Sequence, residues 1–162
     1  MFKIKLLILL LVSLYISSCA YNQSQSDQKY RLNYISGDYD GLYLSNNLKN
    51  HLIADNILDK NSKLSINASI NHSKKLYVTN IDNTSDRENI LSKLKIQVHN
   101  DKKNCLIFDK EYKVEQFYLL ASSDKFSSNV IAEKEIKERN TIQLIRKFKF
   151  DLGFLDLECS DG

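Results

Sequence analysis

The chain has 162 residues, with 23 Lys and Arg against 20 Asp and Glu, a formal net charge of +3. That length supports one domain with a real core and requires no second, and the charge balance gives no argument for nucleic acid. The sequence has no Pro, no Trp and four Gly, with Asn, Lys, Ile and Ser abundant, a composition that points to an AT-rich coding bias. Triplets such as Asn67-Ala68-Ser69 and Asn83-Thr84-Ser85 are therefore expected by chance, and carry no glycosylation role in what reads as a bacterial protein.

At the N-terminus, Lys3 and Lys5 precede the apolar run Leu6 to Val12, which continues through Leu14, Tyr15 and Ile16 to the small residues Ser17 and Ser18. This is the layout of a secretory signal peptide, and the run is shorter than the ~20 apolar residues of a membrane span. An apolar residue, two small residues and then Cys19 resembles the bacterial lipobox. The resemblance implies removal of residues 1–18, lipidation of Cys19 and a membrane anchor outside the cytoplasm; ordinary secretory cleavage is the alternative. Cleavage removes two lysines and no acidic residue, so the remaining chain is near neutral. Residues 19–29, rich in Gln, Ser and Asn, read as a lipidated end and flexible tether, and residues 30–162 as a single globular domain.

Tyr30 to Ile35 alternates apolar with polar, which predicts a strand, and Ser36-Gly37-Asp38 a turn. From Leu42 to Leu58, Leu44, Leu48 and Leu52 recur every fourth residue, joined by Ile53 and Ile57, which predicts an amphipathic helix. Lys63 to His72 and Lys93 to His99 alternate cleanly and predict antiparallel strands, separated by a polar connection over Asn80 to Asn89. Asn100 to Asn104 predicts a hairpin loop, and Cys105 to Leu120 a fourth strand with Tyr112, Val114, Tyr118 and Leu120 on one face. Asp109-Lys110-Glu111 breaks that pattern and predicts a bulge. Ser127 and Ser128 read as caps for a helix over Asn129 to Phe148, whose stripe is plain at Thr141, Leu144, Ile145 and Phe148 and untidy near Ile136. The tail from Lys149 reads equally as a short strand or as coil. The fold class is therefore α+β: a two-layer sandwich of two helices on a mixed sheet of about four strands, in the order strand-helix-strand-strand-strand-helix.

Catalytic and metal-binding patterns are weak. His51, His72 and His99 are scattered with no ligand spacing, so no metal or cofactor is expected. Glu133, Lys134, Glu135, Lys137 and Glu138 read as a salt-bridged helix surface. Cys105 and His99 could be cast as nucleophile and base, but no Gly-rich oxyanion loop accompanies them, and the chain is not expected to be an enzyme. Cys105 and Cys159 can pair in an oxidising compartment, and both the bridge and two unpaired thiols stay open. The basic residues near the sheet are Lys74, Lys75, Arg87, Lys93, Lys95, Lys102 and Lys103, with Lys93 and Lys95 opposite the apolar stripe. They read either as solvated lysines protecting a sheet face or as a cationic surface for an anionic partner.

In order and spacing the chain resembles the LPS-assembly lipoprotein family LptE in its alphaproteobacterial form. The resemblance is carried by the lipobox at Cys19, Leu44-Ser45-Asn46-Asn47-Leu48 with Leu52, and Leu64-Ser65-Ile66. It continues with Ser85-Asp86-Arg87-Glu88-Asn89 leading into Leu94-Lys95-Ile96, and with Phe126-Ser127-Ser128 before Ala132-Glu133-Lys134-Glu135-Ile136 and Arg139. Ala20-Tyr21-Asn22 departs from the Gly-Phe and proline-containing segment usual after the family's cysteine. The resemblance implies a non-enzymatic outer-membrane lipoprotein on the periplasmic side. Such a protein sits inside the LptD β-barrel, supports its assembly and binds lipopolysaccharide for insertion into the outer leaflet, here through Arg87, Lys93 and Lys95. Ala20 carries no inner-membrane retention signal of the Asp type. An accessory lipoprotein of another envelope machine, such as a secretion pilotin that binds a protein partner, is the alternative.

Overall fold

The computed structural model describes residues 28–78, 85–120, 126–156 and 159. The signal segment 1–18, Cys19 and the tether up to residue 27 lie outside the described residues. The elements are β1 (Arg31–Ser36), α1 (Asp38–Ala54), β2 (Leu64–Val78), β3 (Ser85–Asn100), β4 (Cys105–Leu119) and α2 (Phe126–Leu152). One sheet runs β1-β2-β3-β4, with β1 parallel to β2 and the other pairs antiparallel. This is the α+β sandwich that the periodicities predict, in the same element order.

Period-two alternation builds the sheet's covered face. Register sets Ile66 opposite Val98, Ala68 opposite Ile96 and Ile70 opposite Leu94, and all six are buried. Onto them pack Leu44, Leu48 and Leu52 of α1, and Leu144, Ile145, Phe148 and Leu152 of α2. Each fully buried Leu or Ile contributes about 1.5–3 kcal/mol, and every residue of this core lies between Tyr30 and Leu152. Tyr30 closes the lower end, pairing with Leu58 and donating its hydroxyl to Gln28 Oε1 at 2.8 Å; burial pushes the pKa of that hydroxyl up to about 12. Lys29 bonds Asn56 and Ser62, so Gln28 and Lys29 already pack on the domain.

Helix α1 starts and stops earlier than its apolar spacing predicts. Gly37, at φ 128°, turns the chain directly from β1 into the helix, and its carbonyl accepts from Gly41 N at 2.8 Å. Asn56, at φ 55°, reverses the chain after Asp55 and takes Ile57 out of the helix. Ile53 is exposed, so it does not belong to the buried stripe.

The two middle strands extend further than their apolar alternation. Ser85 to Asn89, expected as connection, are strand, with Leu76 opposite Glu88 and Lys75 opposite Asn89. The bulge also moves. Phe108 pairs with Val98 and Leu106 with His99, so the extra residue is Ile107, and Asp109-Lys110-Glu111 stay in register. The shift lets Ile107 and Phe108 both pack on the core. Lys110 then points toward the helices, where Asp151 meets it at 2.6 Å and also accepts from Tyr112 Oη at 2.6 Å. On the same strand, Lys147 Nζ donates to the Lys113 carbonyl at 3.0 Å.

Helix α2 is longer than expected at both ends, so Ser127 and Ser128 sit inside its first turn and Lys149 to Leu152 complete it. Ile136 and Asn140 are both buried, which fixes the face the sequence left untidy. At the helix's end Phe150 and Phe154 pack ring against ring, tilted with centroids 5.1 Å apart, both exposed, and no strand forms among the described residues of the tail. A disulfide joins Cys105 to Cys159, with Cα atoms 6.0 Å apart.

Candidate functional site

Both helices cover one face of the sheet and leave the other open. Register arranges the open face in cross-strand rows. From the β2–β3 tip inward these are Tyr77–Arg87–Leu119, Lys75–Asn89–Phe117, Ser73–Leu91–Glu115, Asn71–Lys93–Lys113, Ser69–Lys95–Glu111 and Asn67–Gln97–Asp109.

The two outermost rows are apolar and cationic together. Phe117 and Leu119 are 63% and 73% exposed and lie in adjacent rows. Lys75 Nζ lies 5.2 Å from the Tyr77 ring centroid, and the Arg87 guanidinium 5.9 Å from that of Phe117. Such cation–π contacts hold the charges over flat apolar rings, leaving a surface that offers a cation and an apolar wall to the same ligand.

Arg87, Lys93 and Lys95 all lie on this open face, but not as one cluster. Six residues of strand separate Arg87 from Lys93, ~20 Å at strand rise. Lys95 reaches Asp109 at 3.8 Å, while Lys113 bonds Glu111 at 2.9 Å. Lys113, with smaller contributions from Lys93 and Lys95, holds the Glu111 carboxyl below the usual range. The centre of the face is thus charge-balanced, and the cations that the described residues place in the two outermost rows are Lys75 and Arg87, with Glu115 reaching in to Asn89. The sequence reading did not name Tyr77, Phe117 and Leu119 as site residues; the signal for Phe117 and Leu119 was their parity on β4, opposite Tyr112, Val114 and Tyr118, whereas Tyr77 lies past the end of the alternation in β2. Lys102 and Lys103 lie at the opposite end, in the β3–β4 turn.

Lys74 belongs to the covered side and is structural. It bonds Glu133 at 2.9 Å and lies 3.7 Å from buried Glu88, which also accepts from Tyr118 Oη. Glu133 continues the chain to Lys137 at 2.7 Å. Burial pushes Glu133 up, but Lys137 and Lys74 together outweigh it and hold the carboxyl low. One layer deeper, Asn140 Nδ2 donates to Ser92 Oγ at 2.9 Å, and Ser92 Oγ lies 2.7 Å from His72 Nδ1. His72 is held below its ordinary pKa first by burial. The Cys105 sulfur is used in the disulfide, and the described residues hold no group of three or more His, Cys, Asp or Glu that could hold a metal ion.

The structure thus defines a two-layer module with one covered sheet face, one open face and a cation–aromatic tip. Solved structures that share this fold include bacterial lipoproteins. Rare lipoprotein B from Shewanella oneidensis superposes with a TM-score of 0.61 at 12% identity, over 76% of this chain and 94% of that one. A minor lipoprotein from Acinetobacter baumannii gives 0.57 at 14% identity over 78% and 91%. Lipoprotein B from Nitrosomonas europaea gives 0.54 at 10% identity over 75% and 79%. At these identities the likeness is one of fold. No protein-family model and no curated protein sequence matches the chain.

Proposed function

We propose that this protein is the LptE-type subunit of the outer-membrane LPS translocon, anchored through Cys19 on the periplasmic side. It is a non-catalytic subunit that occupies and supports the LptD barrel and binds lipopolysaccharide during insertion into the outer leaflet. The observation that carries the reading is the cation–aromatic tip. Arg87 and Lys75 offer charge-assisted bonds to lipid A or core phosphates, and Phe117, Tyr77 and Leu119 offer apolar contact beside them. Within this reading Arg87 is the contact beside the aromatic rings. Lys93 contributes from a more distant row, and Lys95 less because Asp109 offsets it.

Affinity purification of the tagged protein from native membranes in mild detergent is expected to recover a large β-barrel. Recovery of the protein alone refutes the partnership. Arg87→Glu with Phe117→Ser is expected to weaken lipopolysaccharide binding while the far-ultraviolet circular dichroism stays unchanged; unaltered binding removes the tip from the site. The charge-balanced centre of the sheet favours a second reading, an accessory lipoprotein that binds a protein partner of another envelope machine. A secretin recovered in place of the barrel selects it.

A further inference from the structure

The end of the domain opposite the tip is where the described chain begins. Gln28, the ends of both helices, the start of β2 and the β3–β4 turn all lie there. This base is also amphipathic. Phe150 and Phe154, 67% and 71% exposed, pack ring against ring in a tilted pair at the end of α2, on its β4 side. Lys60, Lys63, Lys102 and Lys103 lie in the adjoining turns, and no ion pair holds them among the described residues. Among the described residues the acids at this end match these lysines in number, Asp55, Asp59, Asp101 and Asp156, but Asp101 bonds Arg31 at 2.6 Å and Asp55 bonds Lys149 at 2.6 Å. The helix carbonyl ends that face this way are bonded back by Asp55 N and Gly153 N, which blunts their negative partial charge.

We infer that this base is a second membrane contact, a face that docks on the anionic phospholipid surface of the leaflet holding the anchor. Lengths select the occupant. From Cys19 to Gln28 the chain can reach at most ~30 Å, whereas β3 alone runs ~50 Å from tip to base. An anchor at Cys19 therefore holds the base, and not the tip, at the bilayer. Phenylalanines enter the headgroup boundary and lysines meet lipid phosphates, so the two kinds of residue act on one surface. The direction of the base rests on the lipid-anchor reading of Cys19, and is independent of any barrel partner or of lipopolysaccharide.

Residues 19–162 with Cys19→Ser retain the whole core and lack the acyl chains, so vesicle flotation reads the face alone. With phosphatidylglycerol–phosphatidylethanolamine vesicles the protein is expected to float, and with phosphatidylcholine vesicles to remain behind. Lys102→Glu with Lys103→Glu is expected to weaken binding about fivefold per lysine or more, and Phe150→Ser with Phe154→Ser to weaken it severalfold. Arg87→Glu with Phe117→Ser, at the tip, should leave it unchanged. A Cys19→Ser chain that does not float without further substitution, or a loss confined to the tip variant, overturns the inference. Loss of barrel capture with vesicle binding intact refutes the translocon reading alone; failed flotation with barrel capture intact refutes only the base contact.

Discussion

Truncating Leu52 and its neighbour Ile53 to alanine, one at a time, tests which face of α1 is buried. Leu52 is fully buried and packs in the core, whereas Ile53 is 53% exposed. Leu52→Ala removes three carbons at ~0.8 kcal/mol each and leaves a cavity, for an expected loss of about 3 kcal/mol. In Ile53→Ala, the better helix propensity of alanine offsets the small apolar area that the isoleucine covers, and the change should stay within about 0.5 kcal/mol. Urea unfolding followed by circular dichroism reads both: the Leu52 variant should unfold at roughly 1 to 3 M less urea, with an unchanged m-value. Equal losses for the two variants would mean that α1 is rotated by about a third of a turn, and that Leu44, Leu48 and Leu52 do not form the buried stripe.

Burial holds His72 below its ordinary 6.5, with Asp40 on α1, Lys137 and Glu133 on α2 and Ser92 on β3 around it. Its neutral form therefore contributes stability that is present above pH ~6.5 and lost as pH falls toward the lower folded value, so thermal stability should decline over that window and His72→Gln should flatten the decline. Gly37→Ala should cost about 2 kcal/mol or more in urea unfolding, because φ is 128° and the added methyl would meet the Ile70 carbonyl at 2.7 Å. Cys105→Ser should destabilise by at most ~4 kcal/mol, the chain-entropy ceiling for a 54-residue separation, and thiol labelling of the unfolded, unreduced variant should report a newly reactive Cys159.

The sandwich was legible because Leu64 to Ile70 and Leu94 to Val98 alternate cleanly and Leu44, Leu48 and Leu52 recur at helical spacing. Where polar residues face inward that signal fails. Lys74 and Glu88 interrupt the alternation yet sit within long strands, because Glu133 meets Lys74, Tyr118 meets Glu88, and backbone pairing needs no apolar side chain. Lys110 misplaced the bulge for the same reason: its partner, Asp151, lies 41 residues away on α2. Of the candidate site, the face of Lys93 and Lys95 was legible from parity. The separation of Arg87 from them, and its company with Phe117, were not, since both depend on strand extent and cross-strand register.

Strand β4 has consequences for the protein before it meets any partner. It is a 15-residue outer strand, long enough to template another chain along its free backbone. Lys110 breaks its apolar row from within, Lys147 occupies the Lys113 carbonyl, and the tail is fastened to its first residue through Cys159. An intruding strand would have to displace one lysine and bury another, a barrier to aggregation that an alternating apolar β4 would lack.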